Sequence, residues 1–223
     1  MNTQNIILLI AASINLFMSV LVLSRGVINN KINLYFSLLT FFDFLWCMNL
    51  FYARTSDSAF WFFNAQAAYI SALAIAMSLY LFSVHYPYKI VQNKFVNKLF
   101  VLLLLMFVFF IFGNMYITGS EKDLLKTEYT LFIRKDLYIL YSFVFISIVI
   151  LAIKNFLVKF RQADGILKKQ ILLLLVTISI GLVFGIYFDL FLCYFANFKL
   201  VGFGPIFTLF MNFMVFRLAF FKE

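Results

Sequence analysis

The sequence predicts an all-α polytopic membrane protein, a single bundle of seven transmembrane helices over its 223 residues. Three observations lead there. Hydrophobic residues make up 65% of the chain and charged residues 12%, whereas a water-soluble domain is about half apolar and about a quarter charged. Seven runs approach or exceed the ~20 predominantly apolar residues that a helix needs to cross a ~30 Å hydrocarbon core. No linker, low-complexity tract or second domain interrupts them.

In chain order the runs are Asn5 to Leu23, Leu34 to Ala53, Phe60 to Tyr86, Leu99 to Ile117, Leu137 to Leu157, Ile171 to Phe191 and Leu200 to Phe221. The first has neither the basic start nor the small-residue cleavage site of a secretory signal, so it reads as a retained helix. The third places Asn64, Ser71, Ser78 and His85 at seven-residue intervals, on one slowly drifting face. Ala65, Ala67, Ala68, Ala72, Ala74 and Ala76 fill much of the remainder, and small residues allow close helix contact, which predicts a central position for this span. After the fourth run, Thr127 to Ile133 is rich in β-branched and aromatic residues and predicts a short extracellular hairpin. The sixth carries Thr177, Gly181, Gly185 and Asp189 four residues apart, a small-residue stripe for tight packing in the bundle or in a homodimer.

Lys and Arg counted by loop set the orientation. Twelve fall on the face holding Arg25, Lys89, Lys159, Lys168 and Arg217, and six on the other, which holds Arg54, Lys122 and Lys199. The N-terminus is therefore expected outside and the C-terminus in the cytoplasm, across a bacterial cytoplasmic membrane. The formal net charge of +9 reads as this topology signal and as contact with anionic lipid, not as nucleic-acid binding.

Polar groups are costly in lipid and so point to roles. At ~1.5 Å per residue, Asn15, Asp43 and Asn212 share a layer ~12–13 Å above the inner boundary. Asn64, Gln66, Asn114 and Asp189 lie higher, at roughly 21 to 33 Å, where they would line a ligand cavity open to the exterior. Asp43 and Asp189 come out more than ~10 Å apart, too far to share a proton.

Several chemistries are excluded. The last run holds no Lys for a retinal Schiff base, and a single histidine, His85, rules out a bis-histidine haem. No catalytic motif, phosphate loop or metal-ligand spacing occurs, so neither catalytic residues, metal nor cofactor are expected. Cys47 and Cys193 read as packing thiols.

The order of features resembles the seven-helix N-terminal membrane region of bacterial sensor histidine kinases. The residues that carry the likeness are Asn15-Leu-Phe with Leu23-Ser-Arg and the Asn29-Asn30-Lys31 turn; Phe60-Trp61 and the Phe82-Ser-Val-His85-Tyr-Pro87 exit of the third span; the loop from Arg161 to Gln170 around Gly165; and Gly204-Pro205-Ile-Phe-Thr. The resemblance implies a non-enzymatic sensor that receives an external or membrane ligand, small molecule or lipid, and passes the cue to a cytoplasmic kinase or cyclase. With the sequence ending at Glu223, that effector would be a separate partner, or the chain a piece of a longer sensor. The alternatives are a small proton- or ion-coupled transporter or channel using Asp43, and a structural membrane subunit.

Overall fold

The computed structural model of the protein describes residues 3–26, 30–55, 59–90, 94–113, 117–122, 129–195 and 200–220. They form α1 (Thr3–Ser24), α2 (Lys31–Thr55), α3 (Ala59–His85), α4 (Lys94–Phe112), α5 (Lys135–Gln162) and α6 (Gly165–Gly185). A wide π-type stretch (Ile186–Phe191) and a last turn (Leu192–Tyr194) continue α6, and a 3-10 turn (Val201–Phe203) leads into α7 (Gly204–Phe220). Between α4 and α5, β1 (Ile117–Lys122) pairs antiparallel with β2 (Tyr129–Ile133), with Ser120 opposite Leu131.

Among the described residues, six helices are long and apolar enough to cross a membrane: α1, α2, α3, α5, α6 with its continuation, and α7 with its leading turn. The seven crossings expected from sequence thus meet six helices of full apolar length. The fourth expected run falls on α4, whose described apolar stretch is Val101–Ile111.

Burial is inverted relative to a soluble protein. Asn15, Asp43 and Asn212 are fully buried, while Phe109 and Phe143 on α4 and α5 are 68% and 69% exposed. Such a surface is compatible with lipid and not with water, so the chain is a multi-pass membrane protein. On α1 the buried residues Leu8, Ala11, Ala12, Asn15, Met18, Ser19 and Val22 recur every three or four positions, the period of one helix face. Ile6, Ile10, Phe17 and Val20 point out.

The alanine-rich α3 is the central element. Of its apolar window 72% is buried, against 33–39% for the other five spans. It packs most heavily on α2 and also on α5 and α4. The polar stripe on α3 meets α2 in part: Asn49 donates to the Ser71 hydroxyl at 3.2 Å, and the His85 ring lies 4.9 Å from that of Tyr35. On the α4 side, Tyr141 stands edge-on to Phe107 at 5.6 Å.

The C-terminal end of α3 is closed by a lysine from α5. A helix leaves its last four carbonyls without intrahelical partners, and no water reaches such groups inside a bundle. Lys159, fully buried, donates from Nζ to the carbonyls of Ser83 at 2.7 Å, Val84 at 3.0 Å and Tyr86 at 2.6 Å. An ammonium has three protons and no acceptor capacity, so the three carbonyls satisfy it completely, and the negative end of the α3 dipole favours its charge. Asn155, one turn earlier, donates to the Ser83 hydroxyl at 3.0 Å.

Lys159→Met, which keeps the stem and deletes the charge, is expected to lower unfolding stability by about 3 kcal/mol, because the carbonyls of Ser83 and Tyr86 lose this donor and that of Val84, which also accepts from the Ile90 N–H at 3.0 Å, loses one of two. Denaturation of the purified protein in mixed micelles measures this; a variant as stable as the parent would show that the cap contributes nothing.

Candidate functional site

A buried carboxylate joins α1, α2 and α7. Asp43 sits midway along α2 and has no exposed surface. Its Oδ2 accepts from Asn15 Nδ2 of α1 at 3.1 Å and from Asn212 Nδ2 of α7 at 2.7 Å. Its Oδ1 accepts from the Thr208 hydroxyl of α7 at 3.1 Å. Asn212 Nδ2 also lies 3.0 Å from Asn15 Oδ1, which closes a ring of three side chains from three helices. No lysine or arginine among the described residues pairs with Asp43; all three donors are neutral. Asn212 Oδ1 is buried without a partner among the described residues.

The sequence places these groups by simple helix geometry. Thr208 and Asn212 are four residues apart and share a face of α7. Asn33, Ser37, Thr40 and Asp43 recur every three or four residues on α2, and all four are buried. On α1, Ser19 follows Asn15 by one turn and donates to the Ser37 carbonyl at 2.9 Å. A polar seam therefore runs between α1 and α2, from the end of the bundle carrying Asn33 up to Asp43.

Asp189 belongs to a second level of the same α7 face. It lies in the π-type turn of α6, half-buried, with Oδ1 buried and unpartnered among the described residues. A Cβ on Gly204 would overlap its Oδ2 and stand 2.5 Å from its Cγ, so the carboxyl is pressed against the first residue of α7 and depends on the missing side chain there. Tyr138 of α5 supports this turn, its hydroxyl lying 2.9 Å from the Leu190 carbonyl and 3.2 Å from that of Asp189. Gly204 precedes Thr208 by one turn, so the two acids meet α7 about 6 Å apart along its axis, closer than the sequence heights give. Helix α6 continues to Tyr194, past the expected boundary at Phe191.

The other polar residues expected in an outer cavity are engaged elsewhere. Gln66, buried on α3, donates to the Ile111 carbonyl near the end of α4 at 2.8 Å. Asn64 donates to Phe60 of its own helix at 2.6 Å. Asn114 lies outside the described residues. Gly181 faces α7 within the chain, where an added Cβ would stand 3.5 Å from the Phe207 carbonyl and 3.7 Å from Met211 Cβ. Gly185 faces only Asp189, at 4.0 Å by the same measure. At Gly181 the stripe thus packs α6 on α7. Stacking of Phe184 on Phe207, with centroids 4.1 Å apart, completes it.

Among the described residues no three of His, Cys, Asp and Glu come together as a metal-binding group. The sequence reading missed Thr208 and Lys159. For Thr208 the signal was its spacing from Asn212; for Lys159 it was Asn155 one turn away on the same helix. Compared with protein-family models and with curated proteins, the chain matches none.

Two substitutions separate the levels. Asn212→Leu removes one donor from a buried carboxylate and the donor to Asn15 Oδ1 and is expected to cost about 3–5 kcal/mol, more than Asp43→Asn, which removes the charge together with the need for donors; equal losses in denaturant titration would contradict this order. Gly204→Ala should cost about 1–3 kcal/mol by overpacking, with most of the loss recovered in the double variant that also carries Asp189→Ala. Simple additivity in that cycle would mean that the two residues do not touch.

Proposed function

We propose that the protein is a non-enzymatic sensor module of a bacterial cytoplasmic membrane, with seven crossings, an outside N-terminus and a cytoplasmic C-terminus. It is similar to the membrane region of sensor histidine kinases and acts through a separate cytoplasmic partner. The observation that carries the reading is the placement of α7. At mid-height this helix is bonded to α1 and α2 through Thr208 and Asn212. At one end it abuts Asp189 through Gly204. At the other, its carbonyls accept from Arg25 at Phe220, at 3.1 Å, and from the Tyr86 hydroxyl at Leu218, at 3.3 Å.

A ligand that alters the Asp189–Gly204 contact therefore acts on a helix whose far end carries the chain out of the membrane. It does so only if it binds two packings of α7 with different affinity; a tenfold preference supplies about 1.4 kcal/mol. The length of α4, 19 residues, corresponds to about 28 Å and supports the seventh crossing. The twelve-to-six distribution of Lys and Arg supports the orientation.

A second reading, an ion- or proton-coupled transporter, is favoured by one specific observation: the buried polar seam from Asn33 to Asp43. Reconstitution separates the two. A sensor gives no proton or sodium flux across sealed liposomes, whereas sustained flux lost in Asp43→Asn would establish transport and overturn the sensor reading. Reporter fusions should place the two ends of the chain on opposite sides of the membrane. Both ends on one side would remove α4 as a crossing and the orientation with it.

A further inference from the structure

We propose that Asp43, Asn15, Thr208 and Asn212 form a mid-membrane site for a hard monovalent cation, sodium foremost, whose binding tightens α7 against α1 and α2. The inference rests on the geometry of this cluster and goes beyond the signalling reading, which it neither requires nor excludes.

Charge comes first. Asp43 is fully buried and its partners are two amides and a hydroxyl. An ionised carboxylate in low dielectric surrounded by neutral donors keeps its full charge, which is costly however many hydrogen bonds it accepts. One positive charge cancels it. A divalent ion would leave the site with a net charge of the opposite sign, so the match is to a monovalent cation.

The ligand atoms come second. Within the cluster lie both Asp43 carboxylate oxygens, Asn15 Oδ1, the Thr208 hydroxyl and the Pro205 carbonyl 3.0 Å from it. Asn212 Oδ1 is buried and has no partner among the described residues. All are oxygens, the donor type that hard cations take. The Asn212 amide nitrogen now stands between Asp43 Oδ2 at 2.7 Å and Asn15 Oδ1 at 3.0 Å, which places a partly positive group where two oxygens converge. An amide presents oxygen or nitrogen by a half-turn about its last torsion, at little change in shape. That half-turn brings the unpartnered oxygen to the same point and converts a donor into a ligand.

Access comes third. Ser37 and Thr40 lie between Asn33 and Asp43 on the buried face of α2, and Ser19 faces them from α1. Their hydroxyls donate to backbone carbonyls of α2, which leaves the hydroxyl oxygens as acceptors between Asn33 and the cluster. Because the ligands come from three helices, the bound ion would hold α7 to α1 and α2 at one point. Binding to the folded state alone raises its stability by mass action.

The test uses the purified full chain in nanodiscs at constant ionic strength, with choline chloride replaced by sodium chloride from about 1 to about 300 mM. Thermal unfolding should shift upward by several degrees and saturate, and the sodium-23 resonance should broaden on addition of protein. Both effects should vanish in Asp43→Asn. Should that variant fail to fold, Thr208→Val, nearly isosteric, is expected to move the sodium midpoint to about tenfold higher concentration. Sodium and choline curves that superimpose would overturn the proposal. So would a sodium response that survives in Asp43→Asn, or unfolding that follows pH alone and is indifferent to sodium, which would make the site a proton site.

Discussion

Lipid offers no hydrogen bonds, so the partners of polar groups inside the bundle come from the chain itself. This constraint organises the structure at both helix ends and mid-membrane. Lys159 serves three carbonyls at the end of α3, and Arg25 and Tyr86 serve the end of α7. Gln66 serves α4, Tyr138 the π-type turn of α6, and Tyr141 the Tyr69 carbonyl midway along α3 at 2.7 Å. In each case a side chain from one helix ends or braces another. The polar contacts therefore fix which helices are neighbours, while the apolar contacts, which lipid tails would satisfy equally well, fix how closely they approach.

Helix α7 shows this division within one element. Toward α6 it presents Phe207 and Met211, packed on Phe184 and Gly181. Toward α1 and α2 it presents Thr208 and Asn212. The first face is shaped by volume and the second by complementary donors and acceptors. A helix gripped in these two ways is held in register by the polar side and able to slide or tilt only where the aromatic side allows.

Much of this was legible in the sequence wherever straight helices convert position into height. The layer of Asn15, Asp43 and Asn212 follows from run boundaries and a rise of ~1.5 Å per residue, and in the structure the three side chains are hydrogen-bonded to one another. The central place of α3 followed from its alanines. The outer group was less legible because height does not tell direction. Gln66 and Asn64 stand at a helix end where backbone carbonyls compete for their amides, and which carbonyl wins depends on how α4 lies against α3. The π-type turn that carries Asp189 leaves no mark in hydrophobic periodicity, and a helix that contains one continues beyond its apparent boundary. Thr208 escaped notice because a hydroxyl in a membrane helix normally bonds its own backbone, as Thr208 also does to Pro205 at 3.0 Å.

Lys159 has two successive lives. To a machinery that counts cations as the chain emerges, it is one more positive charge flanking an apolar segment, indistinguishable from Lys154 or Lys168. Once α5 has closed on α3, its ammonium is withdrawn from the surface altogether. Under the proposed orientation, the residue contributes to topology before the bundle is assembled and to cohesion afterwards, and a finished molecule displays less charge to its leaflet than the nascent chain did.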